Sequence, residues 1–276
     1  MSIIVGKKNI KPFLKWAGGK RWFVRNYNNL IPKNFNRYIE PFLGSGAVFF
    51  HLQPNEAILG DINQDLIESY RSIKENWHLV FKELQDHHKK HSKEYYYKIR
   101  NTHFDNTISQ AARFIYLNRT CWNGLYRVNL KGKFNVPIGT KSSVIFDDDN
   151  FEIISKLLEK TELYSSDFEA IINKAQRNDL LYIDPPYTVR HNNNAFIKYN
   201  EKLFSWDDQK RLFNALKRAK AKGAKIVVTN ACHESIKELY KNNFTFHKVS
   251  RTSLISSKVD SRKKFEELVI FNGDSI

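Results

Sequence analysis

The chain has 276 residues, 45 Lys+Arg against 29 Asp+Glu and a formal net charge of +16, an excess that favours a polyanionic partner and a salt-sensitive affinity. Two cysteines do not make a disulfide framework, so a reducing compartment is expected, and the apolar runs are far too short to span a membrane. Residues 1–11 lack the apolar core of a secretory signal, which makes the expected location the cytoplasm.

In chain order, the run FLKWAGGK (13–20) ends in a glycine pair and enters a helix, with Phe23, Tyr27 and Leu30 at helical spacing. Residues 37–40 form a short strand. PFLGSG (41–46) makes a turn, 47–52 an apolar helix, 57–60 a second strand, and Asp61 follows it. Strand, glycine turn, helix, strand and acid make the first half of a nucleotide-binding α/β unit. Here Gly44 and Gly46 let the backbone approach a ligand, and Asp61 can hold ribose hydroxyls. The turn lacks the third glycine of a dinucleotide fingerprint, and Glu40, just before Phe42, would repel a pyrophosphate. A ligand with an ammonium group and no phosphate fits better, and S-adenosylmethionine has that character.

From Gln64 the pattern changes. Leu66, Tyr70, Ile73, Trp77, Val80 and Leu84 recur every three or four residues, which predicts a long amphipathic helix. His87 and His91 have chelate spacing but no third ligand nearby, so a solvated helix end is expected. A further helix is predicted over 107–118. Residues 119–139 read as a basic β-hairpin turning at 130–134. It carries Trp122, Asn123, Leu125, Arg127, Asn129, Asn135 and Pro137, with donors suited to a DNA groove. Helices without interleaved strands, ending in this hairpin, predict an insertion over 64–144 between catalytic segments 1–63 and 145–276.

The α/β pattern resumes with a helix over 151–160 and a strand over 162–168 ending in Asp167-Phe168. The most apolar strand, Leu180–Ile183, runs into Asp184-Pro185-Pro186-Tyr187. Two prolines remove two backbone donors and stiffen the turn. The carbonyls of Asp184 and Pro185 and the Asp184 carboxylate are left as acceptors beside the flat face of Tyr187, a set suited to a planar amine such as the amino edge of adenine. Residues 188–202, with three consecutive Asn, read as a mobile loop over the site. Ser205 with Asp208 forms a helix cap. Strands at 225–229, 244–249 and 267–271 follow, the last two joined by the basic stretch 257–264.

These residues, in this order, resemble the Dam-type DNA adenine-N6 methyltransferases of the α class. The resemblance covers nearly the whole chain and rests on LKWAGGK (14–20), PFLGSG (41–46), GDIN (60–63), NRTCWNGLYRVN with KFNVPIG (118–139), SSDF (165–168), DPPY (184–187) and SRKKFEEL (261–268). It implies an α/β fold: a mostly parallel seven-stranded Rossmann-like sheet binding S-adenosylmethionine, with an inserted helical and β-hairpin DNA-recognition domain. By the same likeness Trp16, Lys20, Glu40, Phe42, Gly44, Gly46, Asp61, Asp167, Phe168 and Asp184 are cofactor-side residues, and Asp184, Pro185, Pro186 and Tyr187 are catalytic.

The implied reaction is direct methyl transfer to the amine of an adenine flipped out of duplex DNA, without a metal, by a monomer or weak dimer. The resemblance also implies the site GATC. Arg127 would read one guanine through its two acceptors, and Lys15 the other. Two alternatives stand beside this reading: an enzyme of the same fold acting on RNA or a protein amide, and a DNA-binding protein without catalysis. The hairpin argues against the first, and Trp16, Lys20, Asp61 and Asp184 against the second.

Overall fold

A computed structural model of the chain describes residues 9–129, 132–189, 204–252 and 264–273. Its strands are β1 (Tyr38–Glu40), β2 (Ala57–Asp61), β3 (Thr161–Ser165), β4 (Leu180–Ile183), β5 (Lys225–Ala231), β6 (Thr245–Thr252) and β7 (Lys264–Phe271). They form one seven-stranded sheet in the order β3-β2-β1-β4-β5-β7-β6. Strand β1 is parallel to β2 and β4, and β4 is parallel to β5, while β7 runs antiparallel to both β5 and β6. The expected mostly parallel seven-stranded sheet is therefore observed. All four residues of β4 are buried, which is why that strand reads as an unbroken apolar run rather than an alternating one.

The helices are α1 (Arg21–Asn26), α2 (Ala47–Leu52), α3 (Gln64–Lys90), α4 (Lys93–Asn101), α5 (Thr107–Thr120), α6 (Phe151–Leu158), α7 (Phe168–Ile172), α8 (Trp206–Ala221) and α9 (Glu234–Tyr240). None of the described helices is long and apolar enough to cross a membrane. Their starts follow local chemistry. Asn63 accepts from Leu66 N to cap α3, and Asn106 accepts from Ile108 N and Ser109 N to cap α5. Ser205 and Asp208 make the expected reciprocal capping box at α8.

The chain divides into two compact units. One comprises Met1–Val24, Gly44–Asn55 and Asp61–Ser165; the other comprises Arg25–Leu43, Glu56–Gly60 and Ser166–Ile276. The first unit is thus larger than the segment 64–144, because α3 packs on α6 as well as on α5. Its core contains Phe13, whose ring meets those of Phe50, Tyr70 and Phe151. Arg119 is fully buried there. It makes a two-bond ion pair with Asp149 at 2.6 and 2.7 Å and donates to the carbonyls of Phe13 and Val144. A buried guanidinium is tolerable because its donors are met in this way.

Several expectations need correction. Helix α3 is kinked at Asn76 (φ −141°, ψ 41°), so Trp77 falls out of the buried face while Val80 and Leu84 return to it. Strand β3 ends at Ser165 rather than 168; Asp167 instead caps α7, its carboxylate accepting from Glu169 N at 2.9 Å. The hairpin is looser than expected. Helix α5 continues to Thr120, and Trp122–Gly124 form a 3-10 turn with Asn123 (φ 54°) and Gly124 (φ 63°) both left-handed. Two such residues in succession cannot lie in an extended strand. The described residues keep two isolated antiparallel bridges, Cys121 with Ile138 and Val128 with Phe134. The loop expected over 188–202 lies outside the described residues from 190 onward, as do Leu130 and Lys131 at the hairpin tip. So does the basic stretch 257–264 up to residue 263.

His87 is not a solvated helix end. It is buried, its ring stacks on Tyr116 at 4.8 Å and its Nδ1 meets the Tyr95 hydroxyl at 2.8 Å. His91 Nδ1 meets the Tyr116 hydroxyl at 2.9 Å. Burial, with Lys90 nearby, lowers the His87 pKa to about 4, against a smaller opposing pull from Asp86. The unfolded chain therefore takes up this proton first as pH falls. Stability contributed by neutral His87 is complete above the unfolded value of about 6.5 and declines down to about 4, by on the order of 3 kcal/mol. Urea denaturation from pH 7 to 4 should show that loss, and His87→Phe, which keeps a ring on Tyr116, should flatten it. An unchanged acid limb in this variant would refute the assignment.

Candidate active site

In the second unit, β4 delivers Asp184 at its carboxyl end. The parallel register pairs Ile183 with Val228, so the next residues, Asp184 and Thr229, come level. Thr229 Oγ1 donates to Asp184 Oδ1 at 2.8 Å. Three residues on, the Tyr187 hydroxyl donates to Glu267 Oε2 at 2.6 Å. Glu267 reaches it from β7, where it lies opposite Ala231. Burial raises the Tyr187 pKa well above its usual value, and the Asp184 and Glu267 carboxylates add to the rise. The phenol is thus a neutral donor with a fixed ring. Pro185 is buried and Pro186 half-buried.

The sequence did not single out Thr229 or Glu267. The signals for them were a polar pair, Thr229-Asn230, closing an apolar strand, and one acid at the head of the apolar run Leu268–Phe271. Glu40, at the end of β1, is buried. Two residues on, Phe42 stacks on Phe168 at 5.4 Å, and Phe204 closes on both rings at 5.7 and 5.6 Å. The structure thus brings together two residues expected on the cofactor side and adds a third, whose backbone carbonyl accepts from the Thr188 hydroxyl at 2.5 Å. Asp167 differs: besides capping α7 it pairs with Arg211 at 2.9 Å, and that guanidinium lies over the Phe168 ring.

In the first unit, the glycine turn and the acid after β2 meet as expected. Gly44 (φ 49°) and Gly46 (φ 63°) are left-handed, and Gly44 N donates to Asp61 Oδ2 at 3.1 Å. A Cβ on Gly44 would come within 2.7 Å of the Trp16 ring, so the close approach of turn and indole requires glycine. The other Asp61 oxygen accepts from Asn63 N at 3.0 Å. Burial raises the Asp61 pKa, while hydrogen bonds from Asn63, Gly44 and Ile62 oppose the rise. A carboxylate with two oxygens retains acceptor capacity beyond these bonds, beside an exposed apolar residue, Ile62. This set fits a nucleoside: acceptors for ribose hydroxyls, an apolar surface for a base, and a turn that admits close backbone approach. Lys20 is buried, its amine donating to Gly18 O at 3.1 Å.

The same unit holds the residues expected to read DNA. The Asn118 side chain bonds both backbone groups of Lys15, accepting from its N at 2.8 Å and donating to its O at 2.7 Å. The Lys15 amine donates to Arg119 O at 3.2 Å, and burial lowers its pKa. Trp16 stacks on Tyr126 at 5.6 Å, and burial beside Asp65 pushes the Tyr126 hydroxyl up to about 12. Arg127 is exposed, and its Nε donates to Asn135 Oδ1 at 2.9 Å. Asn129 Oδ1 accepts from Lys133 N, and Pro137 O from Trp122 N. Trp122, Asn123 and Leu125 are exposed. Asn118 and Tyr126, which hold this surface to the Lys15–Trp16 loop, were missed: one reads as a helix end, the other as part of the hairpin.

The description "D12 class N6 adenine-specific DNA methyltransferase" matches residues 16–255. A type II methyltransferase, M1.LlaDCHI, from Lactococcus lactis subsp. cremoris is 38% identical over 275 residues, covering 96% of both chains. A DNA adenine methylase from Haemophilus influenzae is 31% identical over 95% of this chain and 94% of its own. A DNA N-6-adenine-methyltransferase of Escherichia phage P1 is 34% identical over 91% of this chain and 34% of its own.

Gly124 is left-handed, and an added Cβ would lie 2.6 Å from Lys15 Cδ and 2.7 Å from Lys15 Cβ. Gly132 is also left-handed (φ 72°), but an added Cβ would meet nothing within 4 Å among the described residues. Gly124→Ala should therefore lose about 2–4 kcal/mol from strain plus overpacking, and Gly132→Ala only about 1–2 kcal/mol from strain. Equal losses in urea denaturation would show that Lys15 yields freely.

Proposed function

The chain belongs to the D12 class of N6 adenine-specific DNA methyltransferases, and on that premise we propose that it methylates the adenine of GATC in duplex DNA. In this reading residues 64–144 are the recognition insertion, and 1–63 with 145–276 carry the chemistry. The enzyme acts as a monomer or weak dimer in a bacterial cytoplasm, its own or a phage host's. S-adenosylmethionine supplies the methyl group. Asp61 holds the ribose, Gly44 and Gly46 admit the nucleoside against the backbone, and Trp16 and Lys20 shape the loop beside it. Glu40, Phe42, Asp167 and Phe168 serve the same cofactor.

Asp184 and the Pro185 carbonyl accept the two N–H groups of the target amine. That amine is a weak nucleophile because its lone pair is delocalised into the ring. Two acceptors draw it toward a tetrahedral nitrogen, and positioning with preorganised charge supplies most of the rate. The base must leave the helix to reach this pocket, and the Tyr187 ring stacks on it.

The observation that carries the GATC reading is the state of Arg127. Its Nε is tied to Asn135 Oδ1 while its two Nη groups have no hydrogen bond among the described residues. An end-on pair of donors on an exposed, oriented guanidinium matches O6 and N7 of guanine. Lys15 reads the other guanine, Trp122 and Leu125 fill space or meet a thymine methyl, and Asn123, Asn129, Asn135 and Pro137 line the contact.

Two experiments test this. Labelled S-adenosylmethionine and unmethylated duplex DNA should yield N6-methyladenine, and Asp184→Ala should raise the barrier by about 3 kcal/mol or more while the protein still folds and binds DNA. Near-normal single-turnover rates in that variant would remove Asp184 from the mechanism. Across all single-base variants of GATC, Arg127→Ala should weaken the parent site by about 1–3 kcal/mol and relax discrimination at one base pair. A uniform loss at every sequence, with a salt slope lower by about one, would make Arg127 a phosphate contact instead.

A further inference from the structure

We propose that Thr229 is a positioning residue for methyl transfer: its hydroxyl holds one oxygen of the Asp184 carboxylate, so that the other is presented to the amine of the target base. The inference rests on the reading of Asp184 as the acceptor at the reacting nitrogen. Thr229 lies on β5 and is fully buried. Its Oγ1 donates to Asp184 Oδ1 at 2.8 Å and is 3.4 Å from the Ile183 carbonyl. The hydroxyl of Tyr182, also fully buried, is 3.4 Å away.

An aspartate carboxylate turns about its last torsion in a broad, two-fold well. The backbone of β4 therefore fixes where Asp184 begins but not which way its oxygens face. A bond from a neighbouring rigid element selects one orientation. Threonine suits that task because its branched β-carbon restricts the side chain to few rotamers, and β5 is held on both edges, by β4 and β7. Burial adds to the effect, since a deleted hydroxyl leaves the carboxylate oxygen without a ready replacement from bulk water. The hydroxyl keeps its proton throughout; no bond is made or broken at Thr229.

The test compares the parent, Thr229→Val, Thr229→Ser and Asp184→Ala on unmethylated duplex DNA of mixed sequence, so that the outcome does not depend on the recognition site. Single-turnover transfer from labelled S-adenosylmethionine is followed across pH, with cofactor and DNA affinities and thermal melting measured in parallel. Thr229→Val should slow transfer about 10- to 100-fold, on the scale of losing a preorganised donor, with both affinities unchanged. The acid limb of its rate–pH profile should move to higher pH, because the carboxylate anion has lost a hydrogen bond that favours its charged form. Thr229→Ser should restore most of the rate and the parental acid limb.

Thr229→Ala removes the hydroxyl without placing a methyl against the Ile183 carbonyl, and takes the place of the valine variant if that one melts lower. A parental rate and pH profile in the variant lacking the hydroxyl overturns the proposal. So do equal losses in valine and serine variants, or a loss confined to binding. If Asp184→Ala retains the parental rate, the acceptor reading fails as well. If Asp184→Ala is inactive while the hydroxyl-less variants are normal, the inference about Thr229 falls alone.

Discussion

Strand β4 is hydrogen-bonded to β1 on one edge and to β5 on the other, and both of its faces are buried. Its position along the sheet is therefore set twice over, and a one-residue slip would turn its apolar side chains to the wrong faces. The placing of Asp184 follows from that constraint. The chain must leave the sheet at the carboxyl end of β4, which in a parallel sheet is where crevices for ligands open. Register then decides the neighbours. Ile183 opposite Val228 brings Thr229 level with Asp184, and Ala231 opposite Glu267 puts a carboxylate within reach of Tyr187. Two residues far along the chain become partners of the DPPY turn through sheet geometry alone.

The charge around that turn is opposite in sign to the charge of the protein as a whole. The formal net charge is +16, yet Glu40, Asp184 and Glu267 gather near the end of β4 with the buried phenols of Tyr38, Tyr182 and Tyr187. Burial holds each of these phenols neutral, and the same carboxylates add to the effect. Acceptors with neutral donors among them favour an amine or a sulfonium over a phosphate. A long-range positive field favours a polyanion such as DNA, while the short-range acidic environment near the end of β4 favours an amine or a sulfonium. One sign of charge throughout could not serve both.

Much of this was legible in the sequence, for identifiable reasons. Periodicity marked α3 and the apolar strands, because burial imposes it directly. Caps such as Asn63, Asn106 and Ser205 act within a few residues of themselves. The glycine turn and Asp61 could be read as one site because they flank a single strand–helix–strand unit. What escaped depends on residues distant in sequence. Thr229 acts 45 positions from Asp184, and Glu267 80 positions from Tyr187. His87 was misread because its local neighbours are charged, whereas its burial comes from Tyr95 and Tyr116 on other helices. The hairpin was drawn too regular because alternation along Leu125–Asn129 hides the left-handed pair at Asn123 and Gly124. The strand before Asp167 was drawn three residues too long, because a carboxylate followed by a helix start serves as a cap rather than as a strand end.

Lys15 and Trp16 are consecutive, and each grips the same short stretch of chain. The Lys15 stem is against Gly124, and the Trp16 ring lies on Tyr126, the residue before Arg127. Asn118 fixes the backbone from which both side chains leave, with one bond to each peptide group of Lys15. The residue bearing the exposed guanidinium and the indole beside the glycine turn are therefore joined through a stacked pair and a two-bond clamp rather than through a flexible linker. Gly44 completes the chain, since its missing Cβ lets the turn lie directly on the Trp16 ring. A displacement of Arg127 along the chain moves Tyr126, and movement of that ring must either carry Trp16 with it or break the stack. Because packed side chains respond by discrete rearrangement more readily than by continuous deformation, the surface bearing Arg127 and the glycine turn at Gly44 are mechanically one piece within this unit.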